Sequence, residues 1–209
     1  MRVSEEAHTD EQSVEEGAAW PAVLTWRAHD VPRMESVRVQ LSGNRIRAYG
    51  RIVAAATTSH PAFSASYDLV TDEAGGTKRL SLSVTLAERG ERQLSIARDE
   101  ENMWLVQDHA QTRRSEYDGA LDVDVIFSPF FNALPIRRAG LHQHAESVTL
   151  PVVYVRLPDL SVEASSISYS SQAPELGAGI KLHSPVADTT VTVDADGFIL
   201  DYPGLAERI

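Results

Sequence analysis

Polar and apolar residues alternate with period two through most of the chain from Trp20 onward, as strands do when one face is buried and the other solvated. Leu80-Ser81-Leu82-Ser83-Val84-Thr85-Leu86 is the cleanest run. Val37, Val39 and Leu41 alternate with Arg38 and Gln40, and after the turn Ser42-Gly43-Asn44 the pattern resumes through Ile46, Ala48 and Gly50. That spacing and turn chemistry predict a hairpin over residues 35–56. Further strands are expected over 22–26, 63–71, 93–97, 103–106, 147–157, 160–171 and 180–183, with a short edge strand over 113–117. A last hairpin turns at Asp194-Ala195-Asp196-Gly197, and Tyr202-Pro203-Gly204 is expected to end regular structure. About a dozen short, evenly spaced strands place the chain among all-β, mainly antiparallel barrels, sandwiches or rolled sheets.

One stretch breaks the pattern. Leu121-Asp122-Val123-Asp124-Val125 reads as a half-buried strand, and Ser128-Pro129 follows as a helix N-cap with proline in the first helical position. The apolar segment 130–136 then ends in Arg137-Arg138. Pro135 is expected to kink or end this helix. Phe130, Phe131, Leu134 and Ile136 are too many apolar residues for one narrow stripe, so the helix is expected to be enclosed by sheet.

Composition narrows the classes. With 43% hydrophobic residues, 209 residues can bury a real core, and the absence of cysteine excludes disulfides and thiolate metal sites. The net charge of −11 falls to −5 once the six acids between Glu5 and Glu16 are set aside. Neither figure suits a nucleic-acid binder. Residues 1–17 read as a disordered acidic tail and 18–209 as one domain. Deleting the tail is expected to shift the melting temperature by no more than about two degrees, as scanning calorimetry would record. The N-terminus has no apolar h-region and no run is long enough to span a bilayer, so a cytoplasmic location is expected. No standard catalytic, nucleotide or metalloprotease motif occurs. No cofactor is expected, and the sequence leaves the oligomeric state open.

At Asp122-Val123-Asp124 followed by Ser128-Pro129-Phe130-Phe131-Asn132-Ala133-Leu134-Pro135-Ile136-Arg137-Arg138, the chain resembles the signature of the putative glycolipid-binding family. Arg33-Met34-Glu35-Ser36, the run from Val153 to Leu160, and the tail from Val193 to Leu205 agree with it in order. The resemblance implies a spiral β-roll wound around a single short helix, and a lipid or glycolipid as ligand. Ser128, Phe131 and Ala133 depart from it, standing where the family usually has threonines.

Asp122 and Asp124 point to one face of a strand, their Cβ atoms roughly 7 Å apart. They suit three roles: scaffolding by ion pairs to Arg137 and Arg138, binding of sugar hydroxyls, or acid–base work in a glycoside hydrolase. Trp104 and Tyr154 are candidates to line a pocket, although large aromatics in strands usually serve the core. His142 and His144 would share a strand face, but the sequence places no third metal ligand, and they read as surface residues. The leading expectation is non-catalytic binding of a lipid or glycolipid in an apolar cavity between sheet and helix. Asp122, Asp124, Asn132, Arg137, Arg138, Trp104 and Tyr154 would be its binding residues. The alternatives are a hydrolase using the Asp pair and a solid protein-interaction domain.

Overall fold

The computed structural model describes residues 20–88, 90–108, 110–172 and 179–209. The acidic segment 1–17 lies outside them. The alternating runs form β1 (Ala22–Ala28), β2 (Arg33–Ser42), β3 (Arg45–Ala54), β4 (Phe63–Thr71), β5 (Thr77–Leu86), β6 (Gly90–Arg98), β7 (Trp104–Asp108) and β8 (Thr112–Ser115). Then follow β9 (Asp122–Val125), the helix α1 (Pro129–Arg138), β10 (Glu146–Val155) and β11 (Val162–Ser171). The last strands are β12 (Ile180–Ser184), β13 (Ala187–Val193), β14 (Ile199–Tyr202) and β15 (Ala206–Arg208).

All fifteen strands join one sheet, in the order β8 back to β1, then β15 back to β9. The chain therefore starts in the middle of the sheet and works outward to β8. It then crosses to the opposite edge through a 3₁₀ turn at Tyr117–Gly119 and works back until β15 pairs with β1. Every pairing is antiparallel except β9 with β10. Those two strands and α1 make a βαβ unit, which is how parallel neighbours are joined. The expected dozen or more strands are present, and β15, which the sequence reading did not place, is only three residues long, too short to show any alternation.

The sheet rolls around α1. Pro129 to Ile136 are all buried. Phe130, Phe131 and Leu134 pack with Trp26, Val37, Ile52, Leu80 and Ile96 from the inner faces of β1 to β6. Ile136 belongs instead to a second cluster, with Val152, Ile167, Leu182, Val191 and Ile199. The helix thus joins the cores of the two halves. Burying each such side chain contributes about 1.5 to 3 kcal/mol. Trp104 Nε1 donates to the Ala120 carbonyl at 2.9 Å, and the Thr77 N–H donates to Leu121 O at 2.8 Å. These bonds tie the chain entering β9 to β5 and β7.

Pro135 neither ends α1 nor prevents its last turn, contrary to expectation. It removes one backbone hydrogen bond, and the packing on all sides of the helix outweighs that loss. The true stop is Gly140, at φ +67°. Its N–H reaches Arg137 O at 3.0 Å and Leu141 N–H reaches Ile136 O at 2.9 Å, the paired bonds of a Schellman motif. His142 and His144 lie in the turn after this stop, not on a strand. Among the described residues no helix is long and apolar enough to cross a membrane.

Candidate functional site

The βαβ unit sets Asp124 directly opposite Tyr154 and Asp122 opposite Val152. Asp122 is wholly buried, and Arg138 from the last turn of α1 closes on it, with Nη2 to Oδ2 at 2.6 Å and Nε to Oδ2 at 3.1 Å. Burial raises its pKa, and the guanidinium pulls it back. This ion pair clamps the helix end to the strand before it.

Arg137 does not join the clamp, although the sequence suggested it would. Its guanidinium lies 5.0 Å from the centre of the Phe198 ring, and Nε and Nη1 have no hydrogen-bond partner. Successive helix residues point about 100° apart, so only one of two adjacent arginines can face β9. Asp124 is left without a cationic partner. Burial pushes its carboxyl up to about 7, with only the Val125 backbone N–H pulling it down.

Asp124 lines a cavity of about 350 Å³ beside the start of α1. The wall is polar at Ser128, Asn132, Tyr154, Ser184 and Tyr202 and apolar at Ile126, Phe127, Ile167, Val186 and Leu205. The Tyr154 hydroxyl is buried and has no hydrogen-bond partner. Its pKa is pushed up to about 12, by burial first and by the Asp124 charge second. Behind the wall, the Tyr169 hydroxyl donates to Asn132 Oδ1 at 3.2 Å, which fixes the amide. Tyr169 and Tyr202 are raised by burial and, after it, by Asp124.

Of the residues predicted to bind ligand, the structure brings Asp124, Asn132 and Tyr154 together at this cavity. Asp122 and Arg138 form the clamp, Arg137 stacks on Phe198, and Trp104 is a core residue remote from the cavity wall. Tyr202 was missed because it sits in a stretch that reads as the end of structure. A larger concavity, a trough of about 1450 Å³, crosses the outer face of β1 to β7 between Val23 and Gln107. It is open and shallow, and none of the predicted residues lines it.

On the far side of the helix start lies a second buried carboxylate. Glu35 follows the inward phase of Val37 and Val39. Its Oε1 accepts from Tyr67 Oη at 2.7 Å and from Ser128 Oγ at 2.5 Å. The Ser128 side chain therefore makes no cap of its own. Burial raises Glu35 to about 7 against these hydroxyls and the nearby Phe130 N–H. Tyr67 reaches Glu35 by crossing Gly50, where an added Cβ would stand 2.0 Å from the ring.

Glu35 and Asp124, the two carboxyls raised to about 7, give a pH prediction. Both hold their protons more tightly when folded than their ordinary values of 4.5 (Glu35) and 3.8 (Asp124) allow. Between those values and about 7 the unfolded chain has lost protons that the folded chain keeps, so stability declines as pH rises. At about 1.4 kcal/mol per pKa unit, each group contributes at most about 3 to 4 kcal/mol to the decline, and the half-buried Asp124 less than that ceiling. The lowered carboxylates Glu91, Asp99 and Glu207 titrate below this window. A calorimetric series should therefore show a higher melting temperature at pH 5 than at pH 8. Asp124→Asn should flatten the profile and stabilise the protein at pH 8. An unchanged slope in that variant would mean that Asp124 is not buried as described.

Fold and cavity together define a spiral β-roll with a recess of about 350 Å³ at the N-terminal end of its enclosed helix. The chain belongs to the family described as Putative glycolipid-binding, whose match spans residues 23–208. It is also similar to a DUF1089 family protein from Pseudomonas aeruginosa, known from a crystal structure. The TM-score is 0.67 over 98% of this chain and 100% of that one; at 22% identity the likeness carries the fold alone. Among curated proteins, none matches.

Proposed function

We propose that the protein binds the polar head of a glycolipid or similar amphiphile in the Asp124–Tyr154 cavity, without changing it chemically. The observation that carries this is a pair of polar groups at a concave site: the buried Tyr154 hydroxyl, which has no hydrogen-bond partner, and beside it the half-buried Asp124 carboxyl, which has no ion-pair partner among the described residues. Buried polar groups are normally satisfied, and leaving one unmade costs about 1 to 3 kcal/mol. A ligand's hydroxyls would complete them. The volume is at the small end for ligand sites, enough for one headgroup and not for acyl chains as well. The apolar wall from Ile126 and Phe127 to Val186 and Leu205 suits the first carbons of a chain leaving the cavity. The family's description supports the same class of ligand.

The apolar cavity expected between sheet and helix finds no support, since that space is filled by Phe130, Phe131 and Leu134. A hydrolase using the Asp pair finds none either. Asp122 is sealed beneath Arg138, so only one carboxylate of that pair, Asp124, reaches the cavity.

Thermal-shift titration with octyl β-D-glucoside tests the proposal. Wild type is expected to gain several degrees at saturation, and Tyr154→Phe, which loses only a hydroxyl, to gain much less. No gain with wild type would defeat the proposal.

A further inference from the structure

The charges around the cavity say more about its occupant. Among the described residues, two carboxylates, Asp124 and Asp188, line it, and no Arg, Lys or His does. Nearby cations are engaged elsewhere. Arg138 is bound to Asp122, Arg33 lies over Phe127 and donates to Leu205 O, and Arg156 is held by Glu163 where it stacks on Tyr154. Asp188 sits at the exposed rim near His183. From the strands packed around Asp124, the groups facing it are Asp122 with its arginine and the phenols of Tyr154, Tyr169 and Tyr202. None of these supplies positive charge to Asp124.

We propose that the headgroup taken here carries a protonated amine, which pairs with Asp124 against the faces of Tyr154 and Tyr202. This rests on the binding reading above and names the chemistry of its ligand. A sugar hydroxyl can donate one hydrogen bond to Asp124 but leaves its charge uncompensated in a partly dry site. An ammonium group supplies both the donors and the charge, and phenol faces attract cations as well. The raised carboxyl of Asp124 is in keeping with a site that waits for a cation, because a bound amine would return it to its ionised form.

The test compares octyl β-D-glucoside with octyl 6-amino-6-deoxy-β-D-glucoside by titration calorimetry, both below their micelle concentrations. Chain and ring are the same and one hydroxyl becomes a primary ammonium, which stays charged from pH 6 to 8. The amino glycoside should bind wild type about tenfold tighter or more at pH 8, the advantage shrinking toward pH 6 as Asp124 takes up its proton. Asp124→Asn should bind both glycosides alike, and Asp188→Asn should keep the preference. Equal affinity of the two glycosides for wild type, or a preference that survives in Asp124→Asn, would overturn the inference while leaving headgroup binding intact. Failure of both glycosides to bind wild type would remove the headgroup reading and this inference together. The pH series on wild type alone decides the matter if a variant fails to fold.

Discussion

Glu35→Ala is expected to destabilise the protein by about 3 to 4 kcal/mol, read from urea midpoints at pH 7.5. The loss has three sources. Tyr67 Oη and Ser128 Oγ both donate to Glu35 Oε1 in a site that is 2% exposed, and each would be left without that acceptor. A cavity opens between β2 and the first turn of α1. The positive end of the helix also loses a nearby carboxylate, a favourable placement for negative charge. Re-pairing of Tyr67 with Ser128 would offset part of the cost, as would relief from burying a charge. Glu35→Gln isolates the network, because its amide oxygen can still accept both hydroxyls and it carries no charge. We expect it to stay within about 1 kcal/mol of wild type. An alanine variant as stable as wild type would show that the helix start does not depend on β2.

Leu134→Ala should cost about 3 to 5 kcal/mol, the upper part of the range for deleting a buried leucine side chain. Leu134 is 1% exposed and belongs to the cluster that α1 shares with β1 to β6. It does not line the Asp124–Tyr154 cavity, so the space it vacates has no existing void to merge with. The surrounding sheet is tied by hydrogen bonds on both sides of each inner strand and can collapse inward only slightly. Octyl β-D-glucoside should therefore raise the stability of wild type and variant by the same increment, because the two sites are independent. A larger increment in the variant would mean that the ligand reaches the helix core.

Legibility in the sequence followed solvent exposure. β2 to β5 announced themselves because one face of each meets water, and only a two-sided environment produces alternation. β9 misled on that point. Asp122-Val123-Asp124-Val125 looks half-solvated, but Asp122 is buried against Arg138 and Asp124 is half-buried in the wall of a recess. The helix position was readable from Ser128-Pro129, and its enclosure from its surplus of apolar residues. Its end was carried by Gly140, a weaker mark than Pro135 to a reader of local rules alone. For the site, Asp124, Asn132 and Tyr154 lie within or opposite the βαβ unit and could be picked out. Tyr202 reaches the cavity only through the return of β14, a long-range pairing that no local pattern encodes. Glu35 did carry a signal, a charged residue in phase with Val37 and Val39, where a buried partner is required.

The strand order also constrains the timing of assembly. Within each half, every strand pairs with its neighbour in the chain, β9 reaching β10 through α1, so each half can close as soon as it is made. The seam between the halves is different. It consists of β1 against β15, with Trp26 opposite Arg208 across nearly the whole chain, and it cannot form before residues 206–208 have left the ribosome. Until then β1 presents an unpaired edge at the centre of the future sheet, bearing Leu24 and Trp26. A nascent chain of this protein therefore carries an open apolar strand edge from the folding of β1 and β2 until β15 is made.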